Sequence, residues 1–360
     1  MKTLPPGSTL GILGGGQLAR MTAMAAARLG YKTHIYTRSA DEPACQITPW
    51  RTLGDFGDHK KLEFFATNVD VITLEWENVP AAAVATVERH APCYPKSSVL
   101  HIAQNRLLEK SFARELGLLT PEFRAVHSAV ELRSALDALK LPCIAKTTRM
   151  GYDGKGQVVI RKAEETENVW KALKTDEAIV EALVPFEQEI SVITARRADG
   201  LMRSYPPVEN RHKNAILDET HVPANISEEV RKQALHMAET LCEKLEVVGL
   251  LAVEMFVVNG KVLMNEMAPR PHNSGHWSID GATTSQFEQL LRAICGLPLG
   301  DAHALFPCVM KNLIGHESGN WRDYLSMPGA HLHLYGKREA RDGRKMGHVT
   351  IRNRKGEMEG

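Results

Sequence analysis

The sequence predicts a chain of mixed α/β and α+β class: a parallel doubly wound sheet first, then two units built on other strand orders. Three observations carry this. Strand and helix patterns alternate through "STLGILG", "GGQLARMTAMAAARLG", "YKTHIYT" and "VDVITLEW", the rhythm of a parallel sheet. The prolines of "APCYPKS" end that rhythm. Beyond residue 120, short helices and strands recur around a glycine-punctuated stretch, "KTTRMGYDGKGQVVI" at 146–160. A chain of 360 residues exceeds one ordinary core, and these breaks divide it into 1–105, 106–185 and 186–360.

In order along the chain, Leu18, Met21, Ala25 and Leu29 keep helical spacing, and Gly30 supplies the stop. A short helix is expected around 58–67. "SVLHIAQNRLLEKSFARELGL" predicts one helical connection into the second unit. That unit reads helix 128–139, strand 142–147, the glycine loop, strand 156–161, helix 163–173 and strand 178–183. "LVPF" suggests a hinge near 184–186. The third unit reads strands near 188–197, 201–205, 250–258 and 261–267, with helix 227–245 between them. Helix 284–295 and strands near 308–314 and 330–335 close it.

Composition excludes several classes. With 44 basic against 43 acidic residues the net charge is +1, which gives no reason to expect a nucleic-acid or membrane surface. The six cysteines are scattered without a CxxC pair, which fits a reducing, cytoplasmic compartment. The N-terminus lacks a signal peptide's apolar stretch, and no run of 18 apolar residues occurs.

Gly14, Gly16 and Ala19 satisfy G-x-G-x-x-A between a strand and a helix, a place where backbone N–H groups face an anion. A dinucleotide site wants an acid at the tip of the second strand, and "HIYTRSA" offers Arg38. A phosphate-bearing substrate is the preferred reading; glycines serving only close helix–strand packing are the alternative.

Gly151, Gly154 and Gly156 in the 146–160 stretch can bring backbone N–H groups to phosphate oxygens and fold over them, with Lys146 beneath. A plain hairpin turn with solvated charges is the competing reading. Glu254 and Glu266 weigh against it. Each stands in an apolar strand, where an unpaired buried carboxylate costs several kcal/mol, and a turn at "VNG" would set them side by side. Together with Asn265 they make an oxygen-only site suited to Mg²⁺ that also touches phosphates. The alternative is a pair of carboxylates salt-bridged to Arg270 or Lys261.

"GGGQLARM", "LEWENV", "QNRLLEK", "GYDGKGQ", "MNEMAPRPHNSGHW" and "GRKMGH" follow one another as in the ATP-grasp enzymes, and among these the chain resembles the 5-(carboxyamino)imidazole ribonucleotide synthases over nearly its whole length. The resemblance implies an ATP-grasp fold: a Rossmann-like N-terminal domain, a small lid domain and a C-terminal α+β domain. It implies ATP-dependent carboxylation of aminoimidazole ribonucleotide by bicarbonate in purine synthesis, with ADP and phosphate released, Mg²⁺ as cofactor (Mn²⁺ as substitute) and a homodimer. By the same resemblance Arg106 and Lys146 are nucleotide ligands, and 151–157, Gln157 included, form the phosphate lid. Glu181, Ala182, Leu183 and Val184 read adenine through backbone groups. Glu189 takes the ribose, His212 and Asn265 contact nucleotide, and Glu254 and Glu266 hold the metal. Gly16, Gln17, Glu75, Tyr152, Asp153, Lys155, His272, Asn273, Arg338, Arg344 and Lys345 face the second substrate and bicarbonate, with Arg270 neutralising transition-state charge. Relatives run on past "GH" through a short helical segment, whereas this sequence closes on "VTIRNRKGEMEG".

Two rivals stand beside this reading. One is another ATP-grasp ligase, such as formate-dependent glycinamide ribonucleotide transformylase or a biotin-carboxylase-like enzyme. The other is a non-catalytic nucleotide-binding regulator, which would need affinity but no transition-state groups. His331 and His333 alternate on one strand face and are read as core or interface residues; Met21 and Met24 are read as core fillers.

Overall fold

A computed structural model gives the fold and describes residues 3–151 and 156–353. The first sheet is parallel, in the order β3-β2-β1-β4-β5. Its strands are β1 (Thr9–Leu13), β2 (Lys32–Thr37), β3 (Trp50–Leu53), β4 (Val71–Leu74) and β5 (Cys93–Tyr94). Helices α1 (Gln17–Arg28), α2 (His59–Thr67) and α3 (Ala81–Val87) make the crossovers. Ile12, Ile35 and Ile72 are fully or almost fully buried, as expected of strands covered on both faces, and Phe65 of α2 is buried in the same core cluster as Ile72. Met24 is exposed on α1, a correction to its reading as a core filler; Met21 is buried.

The expected single connection is two helices, α4 (Ser97–Ala103) and α5 (Arg106–Glu115). Asn105 breaks it: its side-chain oxygen accepts from the N–H groups of Leu107 and Leu108 at 2.9 and 3.2 Å, the behaviour of an N-cap. The 106–185 unit placed α5 with the lid by chain order. Its Ala113, Phe112 and Leu116 pack instead with Met255, Met264 and Met267 of the third region.

The second sheet runs β6-β9-β7-β8, from β6 (Phe123–Val126), β7 (Cys143–Thr147), β8 (Gln157–Ile160) and β9 (Ala178–Ala182), covered by α6 (Ala129–Leu139) and α7 (Thr166–Leu173). All its pairings are antiparallel. Its core is separate, built on Leu132, Leu136, Cys143 and Ile160.

The third sheet has nine strands in the order β15-β14-β10-β12-β13-β16-β18-β17, with β11 beside β10. They are β10 (Gln188–Arg196), β11 (Met202–Ser204), β12 (Val208–Lys213), β13 (Ile216–Val222), β14 (Gly249–Val258), β15 (Lys261–Ala268), β16 (Cys308–Ile314), β17 (Ala330–Leu334) and β18 (Lys345–Arg352). Helix α8 (Glu228–Lys244) covers the β10–β14–β15 end; α9 (Ser278–Gly281), α10 (Gln286–Ile294) and α11 (Trp321–Ser326) complete it. The β12–β13 hairpin escapes a sequence reading because its turn residues, Asn214 and Ala215, adopt positive φ without a glycine. Among the described residues, no helix is long and apolar enough to cross a membrane.

Candidate active site

The three sheets enclose a cavity of about 580 Å³. Its floor is set by α5, where Arg106, Glu109 and Lys110 share one helical face turned toward β15. Arg106 donates to Glu266 at 2.8 Å, and Lys110, 0% exposed, donates to the Asn265 carbonyl at 2.7 Å. Glu109 accepts the Met267 N–H at 3.2 Å. The Asn265 carbonyl is reachable because β14 and β15 slip register at Glu254/Met255, leaving Asn265 outside the pairing, a bulge of the kind that re-aims residues at sites.

Glu181, 2% exposed on β9, lies between two ammonium groups, Lys146 at 2.9 Å and Lys110 at 3.4 Å. Burial alone would raise its carboxyl, but the two lysines outweigh burial and hold it down at about 2. Glu109 shows the reverse balance: burial pushes it above the carboxylate range against Arg106 and Lys110.

Opposite the floor, the turn at Asn259 and Gly260, both at positive φ, folds β14 against β15 so that Glu254 pairs directly with Glu266. Glu254 lies 3.2 Å from His272 Nε2. Arg106 keeps Glu266 below its ordinary range although burial opposes it. Glu189, on β10, pairs with His212 at 3.2 Å; burial, with Glu254 adding to it, pushes its carboxyl up. Oxygen and imidazole atoms of Glu189, His212 and Glu254 lie within 4.8 Å of one another. Three carboxylates thus face one space with few cations between them. Asn265 Oδ1 is buried there without a partner. An all-oxygen donor set with an orphaned amide oxygen fits a hard cation, so Glu254, Glu266 and Asn265 suit Mg²⁺. Neither Arg270 nor Lys261 bonds the two glutamates among the described residues; Arg270 instead forks onto Glu77, with Nη2–Oε1 at 2.9 Å.

The first glycine cluster carries a protein carboxylate. Glu75, at the end of β4, accepts from the Gly16 N–H at 2.6 Å and the Ala19 N–H at 3.2 Å. A Cβ at Gly14 or Gly16 would overlap Glu75. Those two donors meet Glu75 rather than open space; Gln17 and Glu75 line the cavity, and Gly16 is not among its lining residues.

The cavity also brings together Arg106, Lys146, Gly151, Gln157, Glu181, Ala182, Leu183, Val184, Glu189 and His212 with Asn265, Arg270, His272, Asn273 and Lys345. Tyr152, Asp153, Gly154 and Lys155 lie outside the described residues. In the expected hinge, the Ala182 N–H donates to the Glu122 carbonyl and the Leu183 N–H to that of Pro142, leaving Val184 as the segment's remaining donor. Arg338 is exposed, paired with Asp41 at 2.6 Å, and is not among the cavity-lining residues. Arg344 turns to the Glu339 carbonyl at 3.0 Å. His331 and His333 both face Asp280, at 3.7 and 2.7 Å.

Several residues of the site escape a sequence reading. Lys337 donates to the Lys345 carbonyl at 2.7 Å; burial and Arg344 push its ammonium down to about 8, with Glu75 opposing. Lys110 carries one usable signal in the sequence, its (i, i+4) spacing from Arg106. Phe186 stacks on Phe256 at 4.6 Å and both line the cavity.

Comparison with known proteins accords with this geometry. Residues 7–104 match the ribonucleotide synthetase preATP-grasp domain, 111–287 the ATP-grasp domain, and 308–358 the phosphoribosylaminoimidazole carboxylase C-terminal domain. The chain is 46% identical to N5-carboxyaminoimidazole ribonucleotide synthase of Brucella melitensis, covering 97% of each. It is 44% identical to the bifunctional purine synthesis protein purC/E of Dictyostelium discoideum across 96% of this chain, and spans 37% of that protein's length. It superposes with a TM-score of 0.91 and 30% identity, over 97% of this chain and 94% of the other, on N5-carboxyaminoimidazole synthase of Aspergillus clavatus solved with ADP and 5-aminoimidazole ribonucleotide.

Proposed function

The chain belongs to the N5-carboxyaminoimidazole ribonucleotide synthase family, and from that premise we propose that it joins bicarbonate to the amine of 5-aminoimidazole ribonucleotide at the expense of ATP. ADP, phosphate and N5-carboxyaminoimidazole ribonucleotide are the products, in purine biosynthesis. The observation that carries the reading is the direct pairing of Glu254 with Glu266 in a cavity that also holds Lys146, Arg106 and Arg270.

ATP lies between the second and third sheets in this reading. Adenine meets the 181–184 segment, Glu189 and His212 take the ribose side, and Arg106 and Lys146 take phosphate oxygens. Gly151, Gly156 and Gln157, with 152–155, close over the phosphates. Glu254 and Glu266, with Asn265, would hold Mg²⁺ or Mn²⁺, which supplies charge neutralisation on the polyphosphate when bound. Bicarbonate oxygen attacks the γ-phosphorus, ADP leaves, and carboxyphosphate forms, which presents an activated carbon to the amine, directly or as CO₂, and releases phosphate. The amine nitrogen then bonds that carbon and gives up a proton. Arg270 and His272 orient the bicarbonate-derived group. Asp153 and Lys345 position the amine or take its proton, and Lys337 steadies the Lys345 backbone through its carbonyl. Gln17, Glu75, Asn273, Tyr152 and Lys155 contact the ribonucleotide.

We retain three units, with α5 assigned to the third. Six free, buried cysteines support a reducing cytoplasm. A second copy of the chain would cover the exposed Trp321, Leu325 and Met327 near edge strand β17. The test measures ADP and carboxylated product with two substrate pairs. Turnover is expected with aminoimidazole ribonucleotide plus bicarbonate, and none with glycinamide ribonucleotide plus formate; the opposite result, or tight ATP binding without turnover on either pair, would replace this reading.

A further inference from the structure

Gln286 is the first residue of α10 and wholly buried. Two backbone bonds to one residue fix which end of its amide is which. Oε1 accepts the His272 N–H at 2.8 Å, and Nε2 donates to the His272 carbonyl at 2.8 Å. A flipped amide would set oxygen against oxygen. The second hydrogen of Nε2 faces His276 Nδ1 at 3.0 Å. An amide nitrogen cannot accept, so Nδ1 must, and the imidazole proton is confined to Nε2. Gly275 makes room for this arrangement, since a Cβ there would overlap Gln286 and Ile193.

His276 is almost wholly buried yet lines the cavity. With Nδ1 committed to Gln286, the polar group it can present there is Nε2–H. Its titratable neighbours are His272, Lys345, His333, Arg270 and the ring of His348 at 4.9 Å, and burial followed by the first four holds it well below its ordinary pKa. It therefore remains neutral at physiological pH. A neutral imidazole donates a hydrogen bond without delivering its proton, so it can hold a carboxylate-like oxygen that an imidazolium would protonate.

We infer that His276 is a further catalytic residue, a fixed Nε2–H donor to the carboxyl group derived from bicarbonate, and that Gln286 is the positioning residue that sets its tautomer. The inference rests on the reading of bicarbonate as co-substrate. It explains why a buried glutamine is tied at three points around His272 and His276, an arrangement that neither residue's contact with ATP would require.

The tautomer is read directly from ¹⁵N shifts of histidine-labelled wild-type protein, where His276 should carry its proton on Nε2. In kinetics, His276→Phe should cost about a hundredfold or more in kcat, or raise the bicarbonate KM at least about tenfold, as loss of one oxyanion donor does. The ATP KM should stay within about threefold. His276→Gln, whose amide nitrogen reaches the Nε2 side, should recover part of the loss; His276→Asn should not. Gln286→Glu should transfer the proton to Nδ1, shift the ¹⁵N signature and lower turnover in protein that still folds, at a cost in thermal stability because a carboxylate oxygen then faces the His272 carbonyl. An Nδ1–H tautomer in the wild type would overturn the inference. So would His276→Phe with bicarbonate kinetics within about threefold of wild type, or with ATP and bicarbonate KM values rising together. Wild-type protein that makes no carboxylated product from bicarbonate and aminoimidazole ribonucleotide would instead sink the functional reading, and the donor assignment with it.

Discussion

Two groups of carboxylates, a few side chains apart, are built on opposite principles. On the floor, Glu181 sits between Lys110 and Lys146, so cations outnumber acids and the charges are satisfied within the chain. Across the cavity, Glu189, Glu254 and Glu266 share His212, His272 and Arg106, so acids press on one another. The first arrangement holds strands and helix in place. The second is incomplete without a cation from outside, and that shortfall makes it a binding site.

The largest effect expected is on stability, at the floor. Glu181→Gln takes from the fully buried Lys110 its carboxylate partner at 3.4 Å, and should cost about 3–5 kcal/mol in urea unfolding at neutral pH. Adding Lys110→Met should recover most of it, because the orphaned charge leaves as well. A single variant within about 1 kcal/mol of wild type would erase the contrast between the two groups. The sign with pH follows. Glu181 is held at about 2, below the ordinary glutamate value of 4.5, so its contribution is fully present above 4.5 and lost as pH falls toward 2. The variant's stability should fall less steeply over that window.

At the cavity wall the same kind of substitution should act on rate. Glu266→Gln is expected to lower kcat about a hundred- to thousandfold, or about 2.7–4 kcal/mol of transition-state stabilisation. Its stability should change much less than that of Glu181→Gln, since Glu266 is 40% exposed and Arg106 keeps Glu109 nearby. Turnover within a few-fold of wild type would remove Glu266 from the metal site.

Nucleotide choice sharpens the comparison at the strand end beyond Glu181. If backbone groups of 181–184 read adenine, GTP presents reversed donors and acceptors there, and kcat/KM should favour ATP by about tenfold or more. Equal use of both nucleotides would move the adenine elsewhere. The smallest effect belongs to Arg338→Ala. Its partner Asp41 is exposed and Arg338 itself is 75% exposed, so activity should stay within about threefold. A loss of tenfold or more would return Arg338 to the site.

Much of this was legible locally. Alternating patterns announced the parallel sheet, and the "VNG" turn between two apolar runs set β14 against β15, because a tight hairpin fixes register from its own few residues; the direct pairing of Glu254 with Glu266 needs in addition the bulge at Glu254/Met255, which the turn does not announce. The break at Asn105 was readable in principle and passed over, since a helical pattern continues on both sides of it. The carboxylate on the first glycine cluster was not readable. Glu75 stands 59 residues from Gly16, and the helix start offers the same N–H groups to a phosphate or to a side chain.

By itself, then, the sequence determined which faces are apolar, where the turns fall, and that two acids share a strand pair. Tertiary structure alone decided the partners: Arg106 with Glu266 across 160 residues, Arg270 with Glu77 across 193, and Lys110 buried beneath Glu181. The physical reason is range. Periodicity and turn chemistry act over a few residues, whereas the proton affinity and cation demand of a buried carboxylate depend on charges within a few ångströms, and those arrive from distant parts of the chain.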